Sequence, residues 1–259
     1  MLNPWVVVVP CYNEAVRLRP EAFLACLDRM PAVRFLFVDD GSSDGTREVL
    51  ARLQRRAEDR LQLLPLNTNR GKGEAVRLGM LEAFASKADV VAYWDADLAT
   101  PLEALSDFVA LLDSRPDLDI VLGSRVRLLG RDIDRNTLRH YFGRVFATAA
   151  SLVLGLPVYD TQCGAKAFRA RTRTLFEMPF ATRWVFDVEL LSRCLVHEKP
   201  DGTPEFTIAE MPLRVWHDIP GSKVRPSDVF RAVLDLTSLY RRRRHRHAIA
   251  FEPAARVRC

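Results

Sequence analysis

Two acidic clusters fall where carboxylates are costly to bury. Asp39-Asp40 closes the apolar run 35–38, and Asp95-Ala96-Asp97 closes the run 90–94. At a buried strand end such groups need a partner. Asp-x-Asp suits a hard divalent cation, Mg2+ or Mn2+, which prefers oxygen ligands and keeps substrate phosphates in its shell. A helix cap or loop brace is the ordinary alternative. The loop Asn69-Arg70-Gly71-Lys72-Gly73 adds exposed backbone N–H groups and the Lys72 ammonium, a combination able to hold a diphosphate. It lacks the Gly-x-x-x-x-Gly-Lys-Ser/Thr spacing of a P-loop. Nor does a Gly-x-Gly-x-x-Gly turn follow the first strand, which argues against a nicotinamide or flavin enzyme.

These residues need a scaffold that gathers strand ends. Apolar runs at 5–9, 35–38, 61–66, 90–94 and 120–122 read as strands, and helical periodicity occupies 21–29, 46–57 and 74–86 between them. Val76, Met80, Ala83 and Phe84 share one face of the third helix. Gly41 and Gly45 permit a tight turn, and Ser43 or Asp44 can cap the helix after it. A further helix is expected to open on the capping box Thr100-Pro101-Leu102-Glu103, with Thr100 as N-cap. Strands alternating with helices predict an α/β fold with a mainly parallel sheet covered on both faces. Ligands bind such sheets beyond the carboxyl ends of the strands, where both acidic clusters lie. After residue 125 the alternation stops, without a linker or repeat.

With 259 residues and 48% hydrophobic content, the chain can bury a substantial core. Its net charge of +5 is gathered largely in the arginine run 241–247, an expected contact for an anionic partner. Those arginines are not interleaved with aromatics, and the acidic rim would repel phosphate without a metal, so no nucleic-acid partner is expected. Cysteines 11, 26, 163, 194 and 259 have neither Cys-x-x-Cys nor zinc spacing, which fits a reducing compartment. The N-terminal run has no basic leader, so no export is expected. The apolar stretch 145–158 is broken by Thr148, Ser151, Gly155 and Pro157 and is short of the roughly 20 residues that span a bilayer. No pattern assigns an oligomeric state.

Five motifs in order resemble those of family 2 inverting glycosyltransferases with the GT-A fold. They are Pro10-Cys11-Tyr12-Asn13-Glu14, 39–46, 69–73, Asp95-Ala96-Asp97 and Gly123-Ser124-Arg125. In the second half, 160–168, 183–191 and Gly221-Ser222-Lys223 resemble the dolichyl-phosphate glucosyltransferase branch. The related mannose synthases usually place a metal-binding Gln where this chain has Ala99.

The resemblance implies one GT-A catalytic domain over 1–225, with a nucleotide-binding half (1–98) and an acceptor half (99–225). A basic amphipathic helix and tail would follow at 226–259. Pro10, Tyr12, Glu14, Asp39 and Lys72 would contact the nucleoside, Asp39 at the base, with Asp40 beside it or capping the loop. Asp95 and Asp97 would hold Mg2+ or Mn2+ on a nucleotide-sugar donor, UDP-glucose before GDP-mannose. The implied acceptor is a polyprenyl or dolichyl monophosphate, reached by a peripheral protein on the cytoplasmic face of a membrane. A monophosphate arrives as an ionised nucleophile. It therefore needs cations to place it more than it needs a base. Arg125, Arg144 and Lys223 are the expected cradle, with Arg139 as a fourth member. Asp160, Gln162, Asp187, Glu189 and Ser222 are expected on the sugar or acceptor side. A hydroxyl acceptor would instead require Asp187 or Glu189 as general base. His197 and His217 read as surface or packed groups.

Overall fold

The computed structural model describes residues 5–134, 137–182, 185–198, 203–219, 235 and 237, and the side chains of all of these except 137–142. The elements run β1 (Trp5–Cys11), α1 (Pro20–Arg29), β2 (Val33–Asp39), α2 (Thr46–Arg56), β3 (Leu61–Pro65), α3 (Lys72–Ala85), β4 (Val90–Trp94) and α4 (Ala104–Ser114). There follow β5 (Ile120–Ser124), β6 (Asp132–Asp134), α5 (Thr137–Leu154), β7 (Ala165–Arg169), a 3-10 segment (Ala170–Phe176), α6 (Phe186–Cys194), β8 (Ile208–Pro212) and β9 (Val215–His217).

Strand side chains alternate between two apolar layers. Val7, Val9, Phe35, Phe37, Ala92 and Trp94 point to the layer closed by α1, α2 and α4, while Val8, Leu36, Val38, Val91 and Tyr93 point to α3, α5 and α6. Phe23 of α1 packs edge-on against Phe35 and Phe37, with centroids 5.2 and 5.0 Å away. Burying each such ring contributes roughly 1.5–3 kcal/mol. On the other face α3 approaches the sheet so closely that a Cβ at Gly79 would lie 2.4 Å from Val8 Cγ1 and 2.6 Å from Val38 Cγ2.

The seven-stranded sheet has the order β3-β2-β1-β4-β7-β5-β8. β7 runs antiparallel to both β4 and β5, while the β1–β2, β1–β4, β2–β3 and β5–β8 pairs are parallel. The reversal has a positional result. Trp94 pairs with Ala165, so the segment entering β7 arrives at the rim where β1, β2, β4 and β5 end. A second ladder, β6 with β9, lies beside that rim, tied to it by the His217 N–H donating to the Ala99 carbonyl at 3.1 Å.

One expectation about caps is corrected and another is narrowed. α4 begins at Ala104, and its N-cap Glu103 makes no side-chain capping bond. Thr100 is instead buried, its carbonyl accepting the Trp94 indole N–H at 2.8 Å, which holds the chain in a turn before the helix. At α2, Asp44 rather than Ser43 serves the first turn, Oδ1 accepting the Thr46 N–H at 2.9 Å. Of the two turn glycines there, Gly41 has a positive φ of 65° and Gly45 a helical −72°. Apart from residues 235 and 237, the expected helix at 226–244 lies outside the described residues, as do Ser222 and Lys223.

Candidate active site

The nucleotide half of the rim is organised by carboxylates that grip loops. Asp40 accepts the N–H groups of Arg70 and Gly71 at 2.7 and 2.8 Å, one to each oxygen. That pins the glycine-rich loop and answers the alternative left for Asp40. Asp39 is fully buried, receiving the Ser42 N–H at 3.1 Å and Arg47 Nε at 2.8 Å. Arg47 also donates to the Leu66 carbonyl, tying β2 to the loop after β3. Glu14 is buried against Arg17, with contacts of 2.8 and 2.5 Å. Pro10 sits half-buried at the end of β1, and Tyr12 is exposed on the rim beyond it.

Asp95 and Asp97 leave β4 into a strained turn. Leu98 is buried with a φ of 55°, a left-handed conformation that costs a branched side chain roughly 1–2 kcal/mol. Arg19 NH2 donates to the carbonyls of Asp97 and Leu98, both at 3.2 Å. Asp95 lies directly over Gly164, where a Cβ would fall 1.9 Å from Oδ2, and its N–H donates to the Gly164 carbonyl at 2.9 Å. Lys72 Nζ stands 2.5 Å from Asp95 Oδ1, an ion pair, yet that buried oxygen receives no well-aligned hydrogen bond. Crowding lowers the Lys72 pKa, but Asp95, Asp187 and Asp97 outweigh it and raise the net value. Burial, then the charge of Asp95, raises the pKa of Asp97.

Two neighbouring carboxylates that repel one another, Asp95 and Asp97, fit a divalent cation. Among the described residues no third His, Cys, Asp or Glu completes a cluster. Mg2+ and Mn2+ do not require one, because water and substrate phosphates fill the remaining positions.

The acceptor half is built from ion pairs. Arg125, at the end of β5, donates Nε and NH2 to Asp160 at 2.6 and 2.8 Å, and its Cζ lies 5.3 Å from the Trp216 ring centroid. Burial would raise the Asp160 pKa, but Arg125 overrides it and holds the carboxyl well below the usual range. Arg144 of α5 lies over the Tyr159 ring, 3.6 Å from its centroid. A cavity of about 280 Å³ opens there, lined by Arg144, Thr148, Ser151, Leu152, Val158 and Tyr159. Arg139 falls on α5, but its side chain is outside the described set.

Asp187 and Glu189 are both committed. Asp187 Oδ1 accepts the buried Lys166 ammonium at 2.7 Å and also the Tyr93 hydroxyl. Burial and Asp187 push the Tyr93 pKa well up. Glu189 takes the N–H groups of Ala181 and Thr182, the Thr182 hydroxyl at 3.0 Å and Arg193 at 2.9 Å. His197 and His217 are surface groups paired with Glu205 and Asp132.

Among the described residues, every buried side-chain polar atom lacking a hydrogen-bond partner lies on this rim: Asp95 Oδ1, Ser124 Oγ, Thr161 Oγ1 and Gln162 Nε2. Asp95 Oδ1 has its ion pair with Lys72, whereas the other three are true orphans of a kind rare in folded proteins, polar atoms open to a water or a ligand. Lys166, Tyr93, Gly164, Glu210 and Trp216 shape the site without having been singled out from the sequence. Lys166 and Gly164 lay inside a recognised motif, a signal that could have found them. Glu210 lay in none.

Residues 6–175 match the model of Glycosyl transferase family 2. The dolichyl-phosphate beta-glucosyltransferase of Homo sapiens is 36% identical over 241 residues, covering 85% of this chain and 69% of the relative. That of Drosophila melanogaster is 34% identical over 238 residues, with the same coverages. Among solved structures, glucosyl-3-phosphoglycerate synthase from Mycobacterium tuberculosis in complex with Mn2+, UDP-glucose and phosphoglyceric acid aligns with a TM-score of 0.63 at 18% identity. It covers 93% of this chain and 79% of its own. That likeness establishes the shared GT-A fold. Sequence and fold comparisons agree, and the chain belongs to glycosyl transferase family 2: it is a glycosyltransferase.

Proposed function

We propose that this enzyme moves glucose from UDP-glucose to a polyprenyl or dolichyl monophosphate with inversion at the anomeric carbon. The observation that carries the acceptor is the commitment of Asp187 and Glu189. One is neutralised by buried Lys166, and the other is filled by loop N–H groups and Arg193. A hydroxyl acceptor would need one of them as base. A monophosphate brings its own negative oxygen. That oxygen bonds to the anomeric carbon as the bond to the diphosphate breaks, giving a glycosyl phosphodiester and UDP with no proton to remove. The names of the relatives support the same donor sugar and lipid class.

Asp95 and Asp97 would hold Mg2+ or Mn2+, which when bound neutralises charge on the departing diphosphate. Lys72 swings from Asp95 to the same phosphates. Tyr12 is offered to the nucleoside at the rim, with Pro10, Glu14 and Asp39 shaping its wall and Asp40 fixing the glycine-rich loop that carries Lys72. Arg125 and Arg144 place the acceptor phosphate, Arg139, Ser222 and Lys223 adding to that cradle. Asp160 keeps Arg125 rigid, and Gln162 offers its unmatched amide to the sugar.

The lipid reading also has a surface. Val145 and Leu152 of α5 and Leu128 and Leu129 before β6 are exposed apolar side chains. Among the described residues no helix is long and apolar enough to cross a membrane. We place the enzyme peripherally on the cytoplasmic face, with these residues and the basic helix at 226–244 in contact with lipid.

The test is labelled glucose transfer from UDP-glucose, and in parallel mannose from GDP-mannose, to a short polyprenyl phosphate in detergent with Mn2+. Glucose-linked lipid that disappears on chelation is the expected result. Transfer only to hydroxyl acceptors, or from GDP-mannose alone, would overturn it.

A further inference from the structure

Glu210 lies half-buried on β8, and its two oxygens accept two successive backbone N–H groups. Tyr159 donates to Oε2 at 2.7 Å and Asp160 to Oε1 at 2.8 Å. Each of these neighbours carries one arginine. Asp160 fixes Arg125 through Nε, NH2 and the backbone N–H, at 2.6, 2.8 and 3.1 Å. Tyr159 fixes Arg144 through its ring and through its carbonyl, which accepts NH1 at 3.3 Å. Both guanidinium groups therefore hang from adjacent residues whose backbone one carboxylate grips. The anchor is itself fixed, because Glu210 pairs with Leu122 on β5, the strand that leads into Arg125.

We infer that Glu210 is a positioning residue for the acceptor: through Tyr159 and Asp160 it sets the spacing of Arg125 and Arg144 for a single monophosphate group. The inference rests on the phosphate-acceptor reading above. Glu210 need touch no substrate atom. A carboxylate is required because two donors point at it, whereas glutamine offers one oxygen and turns its NH2 toward the other N–H.

The test compares wild type with Glu210→Gln, using UDP-glucose, Mn2+ and a short polyprenyl phosphate in detergent. The acceptor KM rises about tenfold, the scale of one or two lost hydrogen bonds. The UDP-glucose KM and the kcat at saturating acceptor stay within about twofold, and Tm moves by only a few degrees. Combined with Arg144→Ala, the rise is smaller than the product of the single effects, as expected of residues acting through one another. Glu210→Asp, which keeps both oxygens one methylene further back, shows the same split in smaller measure and serves if the glutamine variant does not fold. An unchanged acceptor KM, equal rises in both KM values, or strictly multiplicative effects would overturn the assignment. Failure of the wild type to glucosylate lipid phosphate overturns the acceptor reading as well, and the wild-type arm separates that result from failure of Glu210 alone.

Discussion

Both halves of the rim pair carboxylates with cations and with backbone N–H groups, but they differ in what the aspartates at their centre hold. In the nucleotide half, buried Asp40 and exposed Asp44 hold backbone N–H groups of nearby loops, so their charge shapes the chain. In the acceptor half, Asp160 and Asp187 pair with the buried cations Arg125 and Lys166, so their charge is cancelled. The first arrangement suits a wall whose loops are fixed before a nucleotide arrives. The second suits one that must hold cations still and supply no base.

The sharpest break in this comparison is Asp97→Ala, which removes one of the two proposed metal ligands while leaving the acceptor half untouched. Transfer should fall by at least about 1,000-fold, the equivalent of ~4 kcal/mol, with Tm nearly unchanged and Mn2+ binding lost in titration. Next comes Lys166→Met, which leaves Asp187 buried without its cation. Denaturant unfolding should show a loss of about 3–5 kcal/mol, most of it restored by adding Asp187→Asn. If the single and double variants were equally unstable, cancellation of charge would not be what the pair provides.

Gly164→Ala probes where the halves meet, since the new methyl would strike the Asp95 carboxylate. An overpacked site costs roughly 1–3 kcal/mol, so Mn2+ affinity should weaken about tenfold or more with nucleotide present. Asp40→Asn is milder. It should raise the UDP-glucose KM about fivefold, for roughly 1 kcal/mol of loop anchoring, and leave the acceptor KM alone. The Asp160–Arg125 pair is read last, in acid, through wild-type stability. The folded pKa of Asp160 is depressed by Arg125, so its stabilisation is complete above the unfolded value of about 3.9 and is lost as pH falls toward the folded one. Tm of the wild type should fall on acidification below about pH 4 more steeply than that of Asp160→Asn.

The same contrast explains what the sequence made legible. The nucleotide half was readable because its parts announce themselves by local composition: Asp44 two residues before Thr46, and a glycine-rich loop that gives Asp40 its partners. The strand and helix order to residue 124 followed from periodicity for the same reason. The acceptor half depends on β7 running backwards between β4 and β5, which no local pattern announces. Lys166 with Asp187, and Glu210 with the 159–160 backbone, therefore went unpaired in the sequence reading. The error at Thr100 was of another kind. A capping box fits that segment locally, but the buried Trp94 indole needs an acceptor and takes the Thr100 carbonyl.

The seating of Asp95 on Gly164 also bears on how the chain becomes active during folding. Strands β1 to β4 all lie within residues 5–94 and can pair before β7, at 165–169, is available to dock between β4 and β5. Until it does, Asp95 lacks both the carbonyl that fixes its N–H and the flat surface beneath its carboxylate. A partly made chain can thus fold its nucleotide wall without completing the metal site. Competence to break a sugar nucleotide arrives only when the wall that receives the sugar is in place.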